Sequence, residues 1–240
     1  MQQRKLTFVI PGYNAEDNLQ KLVASLKSQR DKDWQAIMID DCSDDGGGLW
    51  REACDVHEGD KRFNAISNEK WGRKYALRTI VETCYEYVKD GIVAIIDGDD
   101  QLCNDDTVSL IKAAHDEPGV VAWTAHGWDI NGMNISKEMP ANVDPYSWPW
   151  CSSHLKTFDA ELLKRIPESN FKDHKGNWFE RGYDQALMLP LLSVCKKRKY
   201  IHDVCYLYNI NSVSIDNRDW AEKKQLGTIN FVRARGFLSK

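Results

Sequence analysis

The chain has 240 residues and a formal net charge of -4, and no proline-, glycine- or serine-rich linker divides it, so we expect a single domain over residues 1–240. This charge balance excludes a general attraction to nucleic acid or anionic lipid. Seven scattered cysteines without a CxxC spacing fit reduced thiols, and no apolar run reaches the length of a membrane span, so we expect a cytoplasmic protein with no membrane span.

The chain begins with alternating strand and helix patterns. The apolar run 6–10 predicts a buried strand that ends in the loop Pro11-Gly12-Tyr13-Asn14, and leucines at helical spacing follow from Glu16. A second apolar run, 34–39, ends in the pair Asp40-Asp41. Acidic residues at a strand end are either turn caps or candidates for ligand binding, and this pair alone leaves both interpretations open.

A basic turn precedes the next predicted helix. After a short strand at 63–66, Asn68 leads to Arg73 and Lys74, directly before a helix whose apolar residues lie at 76–85. Cations oppose the helix dipole at an N-terminus, so a bound anion such as a diphosphate explains them better than a solvated turn does. The solvated turn stays the alternative.

The chain is organised around the apolar run 92–96 and the acidic turn Asp97-Gly98-Asp99-Asp100 that follows it. The carboxyl ends of strands face the ligand-binding crevice of open α/β sheets, and neighbouring carboxylates repel one another unless a cation offsets their charge. An acidic turn that caps the next helix is the alternative, but residues 104–106 already supply caps for that helix. The pattern favours a divalent metal site.

The second half is less regular. A strand is predicted at 120–124, and a turn-rich, aromatic-rich segment follows at 127–149. Trp150 and His154 are candidates for acceptor contacts, and His154 also for metal binding, although a core tryptophan and a structural histidine are the simpler interpretations. Asp184 opens an apolar helix, where an N-cap role alone would explain it. The alternation of strands and helices predicts an α/β fold with a mostly parallel central sheet.

Four motifs fall in the order and approximate spacing of the family 2 glycosyltransferases, which have the GT-A fold. They are Pro11-Gly12-Tyr13-Asn14, Asp40-Asp41-x-Ser43, Asn68 with Gly72-Arg73-Lys74, and Asp97-x-Asp99-Asp100. Segments 153–158 and 184–190 resemble a subgroup of these enzymes in bacteria, phages and large viruses, and 200–212 parallels the family's tyrosine-containing strand and polar turn. The resemblance covers about residues 6–215 and implies a Rossmann-like sheet flanked by helices, with an irregular acceptor-side C-terminal half.

The resemblance also implies roles for individual residues. Tyr13 and Asp41 (or Asp40) would contact the nucleoside base, Asp97 would face the ribose, and Asp99 would bind Mn²⁺ or Mg²⁺. The implied nucleotide-sugar site comprises Pro11, Tyr13, Asn14, Asp40, Asp41, Asn68, Arg73, Lys74, Asp97, Gly98 and Asp99. The implied catalytic base is Asp184, next to Tyr183, which replaces the family's glutamate. The implied acceptor contacts are Trp150, His154 and Tyr183.

The expected function is therefore metal-dependent, inverting transfer of a sugar from a nucleoside diphosphate sugar, most simply a UDP-sugar, to a carbohydrate hydroxyl. Residues up to about 103 would bind the donor, and residues from about 104 the acceptor. Two alternatives stay open: transfer to a hydroxymethylated pyrimidine in DNA, which basic residues at 196–199 and 218–235 would support, and a non-catalytic nucleotide-sugar-binding module. A phosphohydrolase is disfavoured because its nucleophilic aspartate would follow the first strand.

Overall fold

The computed structural model describes residues 4–44, 51, 55–56, 58–68, 70, 72–128, 134–209 and 218–239. The strands in it are β1 (Leu6–Gly12), β2 (Trp34–Asp40), β3 (Phe63–Ser67), β4 (Ile92–Ile95), β5 (Gln101–Leu102), β6 (Val120–Trp128), β7 (Lys156–Asp159) and β8 (Lys197–Tyr208). The α-helices are α1 (Glu16–Ser28), α2 (Tyr75–Tyr87), α3 (Thr107–Ala114), α4 (Ala160–Leu163), α5 (Tyr183–Val194) and α6 (Arg218–Arg235). The strands form one sheet in the order β3-β2-β1-β4-β7-β6-β8-β5.

The first four strands form a parallel layer around β1, which pairs with β2 and β4, while β2 pairs with β3. Side chains alternate between the two faces of a strand. Phe8 therefore packs in a core with Leu22 of α1, whereas Val9 packs with Leu77 and Ile80 of α2 on the opposite face. These elements confirm the α/β fold predicted from the apolar runs.

The C-terminal half continues the same sheet through β7, which lies between β4 and β6 and runs antiparallel to both. No strand was predicted at 156–159, so β7 is a finding of the structure. Its sequence, Lys156 to Asp159, has charged residues at both ends, although all four residues are buried. Neighbouring polar groups satisfy these charges, and a sequence pattern does not show such partners. β8 confirms the strand expected near residue 200, while the polar turn at 210–212 lies outside the described residues.

The basic C-terminal segment forms α6, which packs against α5. Arg233 donates hydrogen bonds to the carbonyl oxygens of Tyr146 (2.7 Å) and Trp148 (2.9 Å), and Arg235 donates to that of Lys172 (2.7 Å). Arg198 likewise donates to carbonyl oxygens. These three arginines therefore bond the chain's own backbone, a role that their basic sequence context did not predict. Among the described helices, none combines the length and the apolar character that a bilayer span needs.

Candidate active site

The carboxyl ends of β1 and β4 and the first turns of α2 and α5 surround a cavity of about 280 Å³, the strand-end cavity. Its lining includes Tyr13, Asp41, Arg73, Asp97, Arg181 and Asp184. The predicted residues of the β1 loop, the acidic turn and the α5 start are thus brought together at one edge of the sheet, as expected for the ligand-binding edge of an α/β fold.

The aspartates after β2 are held by protein groups. Asp41 is buried and accepts hydrogen bonds from the side chains of Asn68 (3.0 Å) and Thr79 (3.1 Å) and from the backbone N–H groups of Lys74 (2.9 Å) and Tyr75 (2.7 Å). Asp40 is also buried and accepts the Ser43 hydroxyl at 2.5 Å. The Asp41 carboxylate therefore fixes the turn that leads into α2, and the Asp40 carboxylate fixes the turn that follows β2.

The two predicted cations of that turn take different positions. The Arg73 guanidinium lies 3.4 Å from the ring centre of Tyr13 and 4.7 Å from that of Tyr75, both at the wall of the strand-end cavity. The Lys74 ammonium instead lies 2.8 Å from Glu82, one of the side chains of α2. Of this pair, Arg73 is the one that lines the cavity. Asn14 connects the β1 loop to the residues after β2, since its side chain bonds Asp44 and its backbone N–H donates to the Ser43 hydroxyl.

Gly98 lets the β4 end approach the β1 loop. A Cβ atom on Gly98 would lie 3.0 Å from the Cα of Gly12 and 3.2 Å from the carbonyl oxygen of Pro11. The Gly98 N–H also donates to that oxygen at 3.0 Å. Because only glycine fits this contact without displacement, the acidic turn and the β1 loop keep a fixed spacing.

Asp97, Asp100 and His154 form a cluster whose ligand atoms all lie within 4.8 Å of one another. Asp97 accepts the Tyr183 hydroxyl at 2.5 Å, and Asp100 accepts the Tyr206 hydroxyl at 2.6 Å. The His154 ring stacks on Tyr206 with a centroid distance of 4.8 Å. Asp99, the predicted metal ligand, lines a separate small cavity with Asn18 and Lys21, and Asp100 also lines that cavity rather than the strand-end cavity.

The electrostatics of this cluster suit a cation. Burial raises the pKa of Asp97 to about 6 against the attraction of Lys156, and the charges of Asp184 and Asp99 add to the rise. Burial and the charges of Asp97 and Asp99 raise the pKa of Asp100 to about 8. Burial lowers the pKa of His154 well below its ordinary value, so its imidazole is neutral. Carboxylate oxygens fit Mn²⁺, whose positive charge would offset the repulsion between the acids. The imidazole of His154 would bind the metal only after Lys156 releases its Nδ1, because the other nitrogen of the neutral ring then carries the proton.

Asp184 forms an ion pair with a buried lysine. Its carboxylate lies 2.6 Å from the ammonium of Lys156, which is fully buried. Lys156 also donates hydrogen bonds to Nδ1 of His154 (3.0 Å) and to the Tyr183 hydroxyl (3.2 Å). Burial would raise the pKa of Asp184, but the charge and the hydrogen bond of Lys156, together with His154, outweigh burial and lower that pKa below its ordinary value. The structure assigns the N-cap position of α5 to Gly182, so Asp184 is not the cap.

A second cavity, of about 320 Å³, adjoins the first, and we call it the Trp150 cavity. Asp184 and His154 line both cavities, as do Gly182, Tyr208 and Gln225. Of the predicted acceptor residues, Trp150 lines only the Trp150 cavity, and Tyr183 lines only the strand-end cavity. Asp184 therefore stands at the boundary between a cavity lined by arginines and a more apolar cavity.

Sequence reasoning missed several residues of this site. Lys156, Arg181, His126 and Gln225 contact or line it. Lys156 lies on the strand that was not predicted, and Gln225 lies on a helix beyond the recognised motifs. Arg181 comes shortly before Asp184 in the sequence, so its position next to the predicted base was the one available signal.

Comparison with known proteins bears on what this arrangement is for. The sequence pattern of Glycosyl transferase family 2 matches residues 7–185. The chain is 29% identical over 236 residues to Glycosyltransferase GlyA of Streptococcus pneumoniae serotype 4, covering 91% of this chain and 32% of that protein. It thus spans about one third of the length of this relative. It is 22% identical over 209 residues to the uncharacterized protein y4gI of Sinorhizobium fredii, covering 85% of this chain and 22% of that one.

Solved structures share the fold. The crystal structure of S. aureus TarS 1-349 in complex with UDP-GlcNAc matches with a TM-score of 0.65 at 17% identity, covering 98% of this chain and 68% of that one. The mannosyltransferase PcManGT from Pyrobaculum calidifontis, in complex with GDP-Man and Mn²⁺, matches with a TM-score of 0.63 at 16% identity, covering 100% of this chain and 67% of that one. Because the family pattern extends from β1 to the first turn of α5 and the fold agrees, this chain belongs to glycosyl transferase family 2.

Proposed function

We propose that this glycosyltransferase moves a sugar from a nucleoside diphosphate sugar to an acceptor hydroxyl with inversion at the anomeric carbon. The observation that carries the proposal is the position of Asp184, whose carboxylate lines both the strand-end cavity and the Trp150 cavity. A general base must reach the acceptor hydroxyl beside the donor. Residues up to about 103 would supply most of the donor site, and residues from about 104 most of the acceptor site.

The strand-end cavity has the chemistry of a donor site. Tyr13 offers an aromatic face for a nucleoside base, and Asp97 offers a carboxylate for the ribose. Arg73 and Arg181 line the cavity as cations for a diphosphate, and the buried Nε of Arg181 has no hydrogen-bond partner within the described part of the chain. Guanidinium groups suit phosphate oxygens because several N–H donors lie in one plane. A UDP-sugar is our first choice of donor, supported by the TarS complex, and a GDP-sugar is the second.

A divalent metal fits beside the donor. Asp97 and His154 line the strand-end cavity and would hold Mn²⁺ or Mg²⁺ together with Asp100. Asp99, the ligand implied by the family resemblance, is the competing carboxylate. When bound, the metal would stabilise the negative charge that develops on the departing diphosphate.

The chain's own residues account for the proton transfer. Asp184 accepts the proton of the acceptor hydroxyl as that oxygen forms a bond to the anomeric carbon. The bond from this carbon to the diphosphate oxygen breaks at the same time, and its electron pair leaves with the nucleoside diphosphate. Attack from the face opposite the leaving group inverts the configuration, so no covalent enzyme intermediate is needed. Lys156 keeps Asp184 ionised, and Arg73 and Arg181 stabilise the leaving group where its charge grows.

DNA as acceptor has lost most of its support. Arg198, Arg233 and Arg235 donate to backbone carbonyls, and the lysines Lys197, Lys199 and Lys224 pair with Glu117, Asp116 and Glu180 respectively. Cations with such partners release fewer counterions from DNA than free ones do, so they contribute little phosphate affinity.

The test is a screen of UDP- and GDP-sugars with and without Mn²⁺, read out as thermal stabilisation and as nucleotide release. A donor at 100 times its dissociation constant should stabilise the fold by about 2.7 kcal/mol. We expect Asp97→Asn and His154→Gln each to weaken the Mn²⁺-dependent part of donor binding at least tenfold, and Asp99→Asn to weaken it less. If Asp99→Asn is the only one of the three variants that loses Mn²⁺-dependent donor binding, the metal is assigned to Asp99. Donor binding without nucleotide release under any condition would favour a binding module.

A further inference from the structure

Helix α6 closes the Trp150 cavity from outside the region that the family pattern matches. Gln225 and Ile229 of α6 line this cavity, and Gln225 also lines the strand-end cavity. The helix sits close to the start of α5, since a Cβ atom on Gly182 would lie 3.2 Å from the Gln225 carbonyl oxygen and 3.3 Å from Cβ of Thr228. Helix α6, which lies after the region that the family pattern matches, thus forms one wall of the cavity that Asp184 also lines.

Arg233 fixes the other walls of the cavity. Its Nε donates to Oε1 of Gln185 at 2.6 Å, and its Nη1 donates to the carbonyl oxygens of Tyr146 and Trp148, just before Trp150. The side-chain oxygen of Gln185 is therefore in use, which leaves its amide N–H groups as donors for the cavity that Gln185 lines. Arg233 thus orients both the Gln185 side-chain amide and the loop that carries Trp150, which we call the Trp150 loop.

The Trp150 cavity contrasts with the strand-end cavity in charge. Among the described residues, no lysine or arginine lines it. The nearby cations Lys156 and Arg233 are paired with Asp184 and with carbonyl oxygens. An anionic group would lose water there without gaining a counterion and would also meet the Asp184 carboxylate. Trp150, Ile135 and Ile229 instead offer apolar and aromatic surface.

We propose that α6 and the Trp150 loop form an acceptor site for a neutral sugar ring. The apolar face of the ring would stack on Trp150, with Gln185 and Gln225 hydrogen-bonding its hydroxyl groups and one hydroxyl directed at Asp184. A few placed polar groups in an otherwise apolar cavity suit such a ligand. This inference rests on the proposed transfer function for its biological meaning, but the binding it predicts is measurable without turnover.

The experiment measures binding of methyl glycosides by saturation-transfer NMR on the full chain with UDP present. Methyl β-glucoside, methyl β-galactoside and methyl β-N-acetylglucosaminide are the neutral probes, and methyl β-glucuronide is the anionic one. We expect at least one neutral glycoside to bind at least tenfold more tightly than the glucuronide. Trp150→Ala should weaken that binding about tenfold, whereas Trp220→Ala, which removes an exposed tryptophan of α6 that lines neither cavity, should not.

Two variants that each introduce a lysine on α6 test the role of the helix. Ile229→Lys puts a cation into the Trp150 cavity and should shift the ratio of glucuronide to neutral binding about tenfold towards the glucuronide. Leu226→Lys makes the same change at an exposed position of α6 that lines neither cavity, and it should leave the ratio unchanged. Tighter glucuronide binding by the unaltered chain, no glycoside binding, or equal behaviour of the two variants would each overturn the proposal. Binding as expected without any sugar transfer would count against the transfer function alone.

Discussion

Asp184 and Lys156 form the pair on which the chemistry of the site depends. Because the buried ammonium lowers the pKa of Asp184, the carboxylate is ionised throughout the neutral range, but it is also a weaker base than an isolated one. Proton transfer to a weak base is efficient only when the acceptor oxygen becomes more acidic as its bond to the anomeric carbon forms. In the proposed reaction, Lys156 would thus couple deprotonation of the acceptor to departure of the nucleotide.

We expect Asp184→Asn to lower the transfer rate by about 10² to 10⁴, because the amide does not accept the hydroxyl proton. Donor affinity should change only a few fold, since Tyr13, Arg73 and Arg181 supply most of the donor contacts. Calorimetry for donor affinity and product formation for transfer, on the same folded variant, check this. Asp173→Asn is the control, because that carboxylate lies in an exposed turn, lines neither cavity, and accepts hydrogen bonds from Lys175 and Asn177 of the same turn.

Two results would change this assignment. A wild-type transfer rate in Asp184→Asn would remove Asp184 from the role of base. A loss of donor affinity as large as the loss of transfer would move it into the nucleotide site.

At the scale of elements, the site depends on how closely β1 and β4 approach at their carboxyl ends. We expect Gly98→Ala to lower the free energy of unfolding by about 1–3 kcal/mol, because the added methyl group presses on the backbone of Pro11 and Gly12. UDP affinity should fall as well, since both of those residues line the strand-end cavity. Urea unfolding and calorimetric titration with UDP measure the two effects.

Gly227→Ala is the control for this substitution. A Cβ atom there meets nothing within 4 Å and lies inside α6, so the change should raise the free energy of unfolding by up to about 1 kcal/mol. If Gly98→Ala behaves like Gly227→Ala, the close approach does not position the donor loop.

Elements with strong local signals were predictable, and those held by distant partners were not. Local sequence is sufficient to predict β1, β2 and β4 from their apolar runs and α1 from its leucine spacing. The predicted boundaries lie within two residues of the observed ones. The charged ends of β7 are acceptable only because Lys156 meets Asp184 from α5 and Asp159 meets Arg4. No local pattern contains those pairings.

The candidate site divides in the same way. The motifs identified which segments meet, because they stand at strand ends, and Asp184 and Asp97 lie in the strand-end cavity as expected. The sequence did not predict which of Asp99 and Asp100 would cluster with Asp97 and His154. In the structure it is Asp100. That choice depends on Tyr206 and on the backbone N–H of Asn209, both far away in sequence.

At the scale of the whole molecule, a buried ionic cluster joins the N-terminus to the C-terminal half. Asp159 lies 2.7 Å from Arg4 and 2.9 Å from His115, and it accepts the backbone N–H of Gly119. Burial lowers the pKa of His115 below its ordinary 6.5, against the attraction of Asp159. Burial would raise the pKa of Asp159, but the hydrogen bonds from His115 and Arg4 lower it below the ordinary 3.8.

We therefore expect acid to weaken the fold in two stages. Below about pH 6.5 the unfolded chain binds a proton at His115 that the folded chain does not, so the free energy of unfolding falls. Below pH 3.8 the same holds for Asp159, and its contribution is lost as pH drops through its lowered pKa. Urea unfolding between pH 8 and pH 3.5 measures the trend. His115→Gln should flatten the first stage, and an unchanged slope in that variant would assign the effect to other groups.

The insertion of β7 between β4 and β6 has a consequence for how the protein is made. During synthesis, the donor-binding strands leave the ribosome well before residues 156–159, so for that time β4 is an apolar edge with unpaired backbone groups on one side. A polypeptide ending near residue 103 would keep that edge permanently, and such edges pair with other chains. We therefore expect the proposed donor and acceptor halves to fold as one unit, so that exchanging acceptor halves between relatives would require β7 to be carried along and matched to β4.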